Sequence, residues 1–156
     1  MNLKELRNKL GLTQKEAAEC VGVSLRSYIS YENNPDKASS RTYKYILNTL
    51  AEKYPMDETH GTLSIDFIQK TCSEIFDKYN VNFCILFGSY AKGNEKETSD
   101  VDLLLSSDIK GLQFYGLVEE LRQALGKKID LLDMNQLLNN PELLSETLKY
   151  GVRIYG

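Results

Sequence analysis

The 156-residue sequence has no run of 18 apolar residues, one histidine and three cysteines. Each shortage removes a class of protein. Without a long apolar run no segment is expected to span a bilayer. The first residues, MNLKELRNKL, begin on a helical pattern and lack the apolar core of a signal peptide. Cys20, Cys72 and Cys84 are odd in number and far apart, which suits neither a disulfide framework nor a zinc site. They are expected to be reduced, mostly buried thiols of a cytoplasmic protein. His60 has no other histidine and no nearby cysteine to work with, so it reads as a solvated linker residue. Internal repeats and low-complexity tracts are also missing.

What is present is an ordinary mixture of apolar and charged residues, enough for one medium domain or two small ones. The net charge of −3 is unevenly spread. Residues 1–55 carry nine Lys/Arg against six Asp/Glu, and residues 56–156 carry ten against sixteen. A mildly basic front and an acidic back predict two modules with different ligands. The polar stretch around Pro55 and Gly61 has no apolar period and marks the joint. The expected division is residues 1–54, a linker at 55–62, and residues 63–156.

The front module reads as all helical. Leu3, Leu6 and Leu10 form one stripe, closed by Gly11. Thr13 with Glu16 makes a capping box for a second helix, whose inner face is Ala17, Ala18 and Val21 and whose end is Gly22. Ser24 caps a third helix, about Leu25–Glu32, with Ile29 on one face and Tyr28 or Glu32 flanking it. After the break at Asn33–Asp36, Tyr43, Ile46, Leu47 and Leu50 stripe a fourth helix over about Ser40–Lys53. Two short helices joined by a tight glycine turn are helix-turn-helix geometry. The string LTQKEAAECVGVSLRSYISYEN resembles the Cro/repressor (XRE-like) helix-turn-helix family across this two-helix core. The resemblance implies that Leu25, Arg26 and Ser30 face base edges and that Thr13, Gln14, Ser24 and Ser27 face phosphates. Arg26 suits that role physically, because a guanidinium pairs bidentately with guanine, and hydroxyls and helix-end amides suit phosphates.

In the back module helices alternate with short apolar runs, which predicts an α/β sheet covered by helices. Helices are expected at 63–80 and 112–125, and one at 137–150 is broken at Pro141. Strands are expected at 81–87, 101–105 and 128–132, with a last short one at 152–155. Between the first two strands lie a Gly88-Ser89 turn and a charged loop. Ten residues separate Ser89 from Asp100, and Asp102 follows two later. Residues two apart on a strand share a face, so both carboxylates point the same way. Such a pair repels itself unless a divalent cation joins it, and Mg²⁺ is the hard cation that keeps positions open for triphosphate oxygens. Gly88 lets backbone approach a phosphate closely. Ser89 offers a hydroxyl where a helix begins. A third carboxylate should come from KKIDLLD. Asp130 points away from Ile129 and Leu131 by parity, whereas Asp133 shares theirs and suits a surface residue or helix cap, so Asp130 is the choice as ligand or general base.

These residues resemble the minimal nucleotidyltransferase (MNT) branch of the DNA polymerase β-like superfamily, whose motif is Gly-Ser, ten residues, Asp-x-Asp. The strings FGSYAKG, SDVDLLL, KIDLLD and LLSETLKYGVRIYG carry the likeness over about residues 63–156. It implies that Asp100, Asp102 and Asp130 are catalytic and hold Mg²⁺, and that Gly88, Ser89, Lys92 and Ser99 bind the nucleotide, ATP. Lys92 stands where the family often has arginine, which keeps the charge and loses the bidentate fork. The resemblance further implies an antitoxin that transfers AMP to a tyrosine of a HEPN-domain ribonuclease toxin. The short back module, with little to wrap an acceptor, agrees with a protein acceptor. The front module would let such a protein repress its own operon by binding operator DNA, as a homo-oligomer or with the toxin. Two other readings stay open. One is a transcriptional regulator whose back domain is not catalytic and neutralises a toxin by binding. The other is a nucleotidyltransferase acting on small molecules such as aminoglycosides.

Overall fold

The computed structural model describes all residues, Met1–Gly156. The chain divides into two compact units, Met1–Met56 with His60–Ser64, and Asp57–Thr59 with Ile65–Gly156. Residues 54–64 hold no helix or strand, and His60 is exposed among them. No helix is long and apolar enough to cross a membrane.

The first unit is all helical. Helix α1 is Leu3–Lys9, α2 Gln14–Val21, α3 Leu25–Asn33 and α4 Arg41–Lys53, with one 3₁₀ turn at Pro35–Lys37. Local chemistry sets the starts. Asn2 with Glu5, and Thr13 with Glu16, form reciprocal capping boxes, while the Ser24 and Ser40 hydroxyls accept from Ser27 and Tyr43 amides. Gly22 ends α2 at φ +72°, in the left-handed region that suits glycine. The core gathers Leu3, Leu6, Ala17, Ala18, Val21, Tyr28, Tyr43, Ile46 and Leu50.

The inner stripe of α3 differs from the expectation. Tyr28 is fully buried and Ile29 only half-buried. The reason is electrostatic. Glu32, one turn after Tyr28 and on the same face, is 1% exposed and pairs with Arg7 of α1 at 2.7 Å. The Gln14 amide donates to the same carboxylate at 3.0 Å. A carboxylate buried so deeply needs these partners, and satisfying it turns α3 so that Tyr28 and Glu32 face inward together.

The second unit carries helices α5 (Ile65–Phe76), α6 (Gly88–Lys92), α7 (Leu112–Leu125), α8 (Met134–Leu138) and α9 (Pro141–Tyr150). Its strands are β1 (Val81–Phe87), β2 (Val101–Ser107), β3 (Ile129–Asp133) and β4 (Val152–Tyr155), in the order β3-β2-β1-β4. β1 pairs antiparallel with β2 and β4, and β2 pairs parallel with β3, so the small sheet is mixed. The expected first helix ends early, at Phe76, and residues 77–80 form turns. The helix expected at 137–150 is two helices, because Asp133 caps α8 and Asn140 caps α9 just ahead of Pro141. Ile85, Phe87, Leu104, Leu132, Leu137, Leu143 and Leu144 pack together beneath α8 and α9. Cys72 and Cys84 are buried free thiols, and burial pushes Cys72 up to about 12, out of the reactive range.

Candidate active site

The site is built where β1 ends and β2 begins. Phe87 and Asp102 are cross-strand partners, so the turn after Phe87 passes directly beside Asp102. Gly88 adopts φ +69°, and a Cβ there would collide with the Asp102 carboxylate. Glycine is required twice at this position, once by the backbone and once by the neighbour. Ser89 follows, half-buried at the start of α6. Asp102 shares strand parity with Leu104, so it projects from the face that α8 and α9 partly cover.

The parallel register of β2 and β3 sets Asp130 opposite Asp102. Asp130 is exposed while Ile129 and Leu131, its strand neighbours, are buried. Asp133 is occupied elsewhere. Its Oδ1 accepts from the Asn135 amide at 2.7 Å and its own amide donates to Gln136 at 2.9 Å. Asp100 lies just before β2, with an oxygen 3.3 Å from Lys128 Nζ.

The electrostatics follow from crowded carboxylates. Asp102 is pushed up to about 6, first by burial and then by the charges of Asp130, Asp100 and Glu146, with Lys92 opposing them. The Lys92 ammonium pairs with Glu146 of α9 at 2.7 Å and lies 5.6 Å from the centre of the Tyr150 ring. Ser99, expected at the nucleotide, closes a turn in the loop before β2. Its hydroxyl accepts from the Lys96 amide at 2.8 Å and its amide donates back to the Lys96 carbonyl at 2.9 Å. The loop is tied down further by Lys127, a fully buried lysine whose ammonium donates to the Glu97 carbonyl at 2.6 Å.

The structure therefore brings Gly88, Asp102 and Asp130 together, with Asp100 and Lys92 close enough for their charges to reach Asp102, and leaves Ser99 in the loop. As their side chains stand, no three His, Cys, Asp or Glu groups converge on one point as a metal site. Asp100 turned toward Lys128 contributes to this. The donor chemistry still fits a hard divalent cation, because three carboxylates share one neighbourhood and the one between them is raised to about 6 by burial and by the charges of the others. Glu146, Lys127 and Lys128 escape motif reading. A lysine beside a strand and a glutamate on a late helix carry no local signal.

In the helical unit, the first turn of α3 is open to solvent, with Leu25, Arg26, Ser24 and Ser27 all exposed. Ser24 and Ser27 cap one another, their hydroxyls 2.9 Å apart. Thr13 is exposed in its capping box. Gln14 is turned inward to Glu32, and the half-buried Ser30 accepts from Lys37 at 2.6 Å. Of the residues that the resemblance assigns to base edges, Leu25 and Arg26 are exposed and Ser30 is half-buried, while the Gln14 amide is engaged by the core ion pair.

Residues 70–156, more than half the chain, match the family model described as polymerase beta, nucleotidyltransferase, and residues 3–52 match one described as helix-turn-helix. A Methanocaldococcus jannaschii protein provisionally named a protein adenylyltransferase is 36% identical over 95 residues, covering 59% of this chain and 99% of that one. The protein adenylyltransferase MntA of Thermococcus cleftensis is 38% identical over 66 residues, covering 41% of this chain and 67% of that relative. A crystal structure of a toxin–antitoxin pair with AMP-PNP is similar at a TM-score of 0.47 and 22% identity, over 56% of this chain and 73% of that chain.

Proposed function

The chain belongs to the polymerase beta nucleotidyltransferase family, and on that premise we propose that it is a protein adenylyltransferase and antitoxin. It takes AMP from ATP and places it on a tyrosine of a HEPN-domain ribonuclease toxin in the cytoplasm. Its helix-turn-helix unit binds operator DNA and represses the operon that encodes the pair. The observation that carries the reading is the Gly88–Asp102 apposition with Asp130 as Asp102's register partner. It supports a glycine turn, open to backbone contact, set against a pair of carboxylates. Relatives named for protein adenylylation support a protein as the acceptor.

In this reading Gly88 and Ser89 carry the phosphates, backbone first, because nothing but hydrogen stands on Gly88. Lys92 meets the charge on the leaving phosphates. The tyrosine oxygen attacks the α-phosphorus, the new O–P bond forms as the α–β bridge breaks, and pyrophosphate leaves. The exposure of Asp130 beside Asp102 supports it as the group that accepts the tyrosine proton. Asp100, Asp102 and Asp130 would hold Mg²⁺, which supplies charge neutralisation and alignment at the phosphates when bound.

The test incubates the chain with labelled ATP, Mg²⁺ and the product of the neighbouring gene. Label on the partner with the wild type, and none with Asp100→Asn/Asp102→Asn, is the expected result. A double variant that labels equally well would overturn the reading. One observation favours a second reading, neutralisation by binding alone. The carboxylates do not converge as a three-ligand cluster. That reading expects the double variant to protect cells from the toxin as well as the wild type does.

A further inference from the structure

The ion pair of Lys92 with Glu146 joins α6, which follows the Gly88 turn, to α9. Both side chains are about one-third exposed, at 32% and 34%. They line an open groove of ≈ 450 Å³ together with Lys149 and Tyr150. Tyr150 follows Glu146 by one helical turn and sets its ring beside the same ammonium. The charges of both Lys92 and Glu146 reach Asp102, so the pair lies within electrostatic range of the carboxylates.

A triphosphate resting on Gly88 and Ser89 brings several negative charges to this end. An arginine could hold Glu146 with one edge of its fork and a phosphate with the other. An ammonium is a compact point charge, and a new anion displaces the old one from it. Glu146 also repels the incoming phosphates directly.

We propose that Glu146 is a positioning residue that holds Lys92 in reserve until a phosphate chain displaces it, and so sets which phosphorylated ligands the site retains. The proposal rests on the nucleotidyltransferase reading above. A ligand with β- and γ-phosphates, or free pyrophosphate, takes Lys92 from Glu146. AMP does not reach it and gains nothing from the exchange.

Calorimetric titration of the full chain with a non-hydrolysable ATP analogue, pyrophosphate and AMP, each with Mg²⁺, tests this in the wild type, Glu146→Gln, Lys92→Met and the double variant. Glu146→Gln is expected to tighten the analogue and pyrophosphate about two- to five-fold, the worth of a partly exposed ion pair. AMP affinity should stay unchanged. In the Lys92→Met background the gain should shrink or vanish, because the cycle isolates the coupling between the two side chains. Glu146→Asp should keep most of the wild-type affinity, which separates loss of charge from loss of packing. Equal or weaker binding by Glu146→Gln at an unchanged melting temperature would overturn the proposal, and so would an equal gain without Lys92. If the wild type labels its partner but the cycle is additive, the role of Glu146 fails and the proposed function stands. If the wild type binds none of the three ligands, both fail.

Discussion

Asp102 and Asp130 face one another across the parallel strand pair β2–β3, as Cα partners on the same side of the sheet. After burial, the Asp130 charge raises Asp102 most, ahead of Asp100 and Glu146, and Lys92 opposes them less strongly. The protein therefore stores repulsion at the place where a cation and a phosphate chain would relieve it. This arrangement has a thermodynamic signature.

Asp102 titrates near 6 in the folded chain, against 3.8 for a free aspartate. Between those values the folded state holds a proton that the unfolded state has released, so stability falls as pH rises through that window and the penalty is complete above it. Asp102→Asn removes the penalty. In the absence of divalent cations it should be more stable than the wild type at pH 7.5, by about 1 kcal/mol once the half-exposed position is discounted for solvent screening. The gain should disappear below about pH 4, where both states are protonated. Thermal melts at the two pH values check this. Addition of Mg²⁺ should raise the wild-type melting temperature and leave the variant's unchanged.

Gly88→Ala should be costly in two ways. The left-handed backbone costs roughly 1 kcal/mol with a side chain, and the new methyl group strikes the Asp102 carboxylate. Partner labelling should fall to background while circular dichroism still shows a folded sheet. A variant with wild-type labelling would mean that the close approach of Gly88 to Asp102 is not needed for transfer.

Arg7→Ala should unfold the helical unit selectively. Glu32 would stay 1% exposed with its strongest partner gone, and a buried charge stripped of its counter-ion costs about 3 kcal/mol or more. Glu32 titrates below the ordinary carboxylate range, because bonds from Arg7 and Gln14 outweigh the burial that would raise it. Its contribution is therefore present at neutral pH and is lost as pH falls through the folded value. Hydrogen exchange should show α1 to α4 opening in Arg7→Ala while the amides of β1 and β2 stay protected.

Arg26→Ala should weaken binding to the chain's own promoter and relax sequence preference. A bidentate arginine–guanine contact contributes about 1–3 kcal/mol of discrimination. Gel-shift titration against the operator and a scrambled duplex measures both effects. Loss of affinity with preference intact would assign Arg26 to the phosphates instead.

Much of this was legible in the sequence because it depends on near neighbours. Thr13 caps α2 and Ser24 caps α3 through residues three positions on. Gly22 closes α2 because only the backbone has to turn there. The spacing of Ser89, Asp100 and Asp102 marks a strand, a turn and a strand, although strand parity reaches only Asp102, because β2 begins at Val101 and Asp100 pairs with Lys128. Where a partner lay far along the chain, pattern reading failed. Ile29 looked like the inner residue of α3 until Arg7 and Gln14, 25 and 18 residues before Glu32, drew that carboxylate inside and Tyr28 with it.

By itself, the sequence determined the two-module order, the helix starts and stops of the front module, and the Gly-Ser and Asp-x-Asp frame, which rest largely on interactions within a few residues. Strand parity favoured Asp130 over Asp133, and tertiary structure supplied the pairing that sets it beside Asp102. The parallel register of β2 and β3 delivers Asp130, and the start of α8 claims Asp133 as its cap. It also decided what Lys92 does without a ligand, because Glu146 lies 54 positions away and meets it only when α9 folds back over α6. Local periodicity cannot encode such a meeting. It depends on the register of a sheet and the path of a helix, and those are settled by packing of the whole unit.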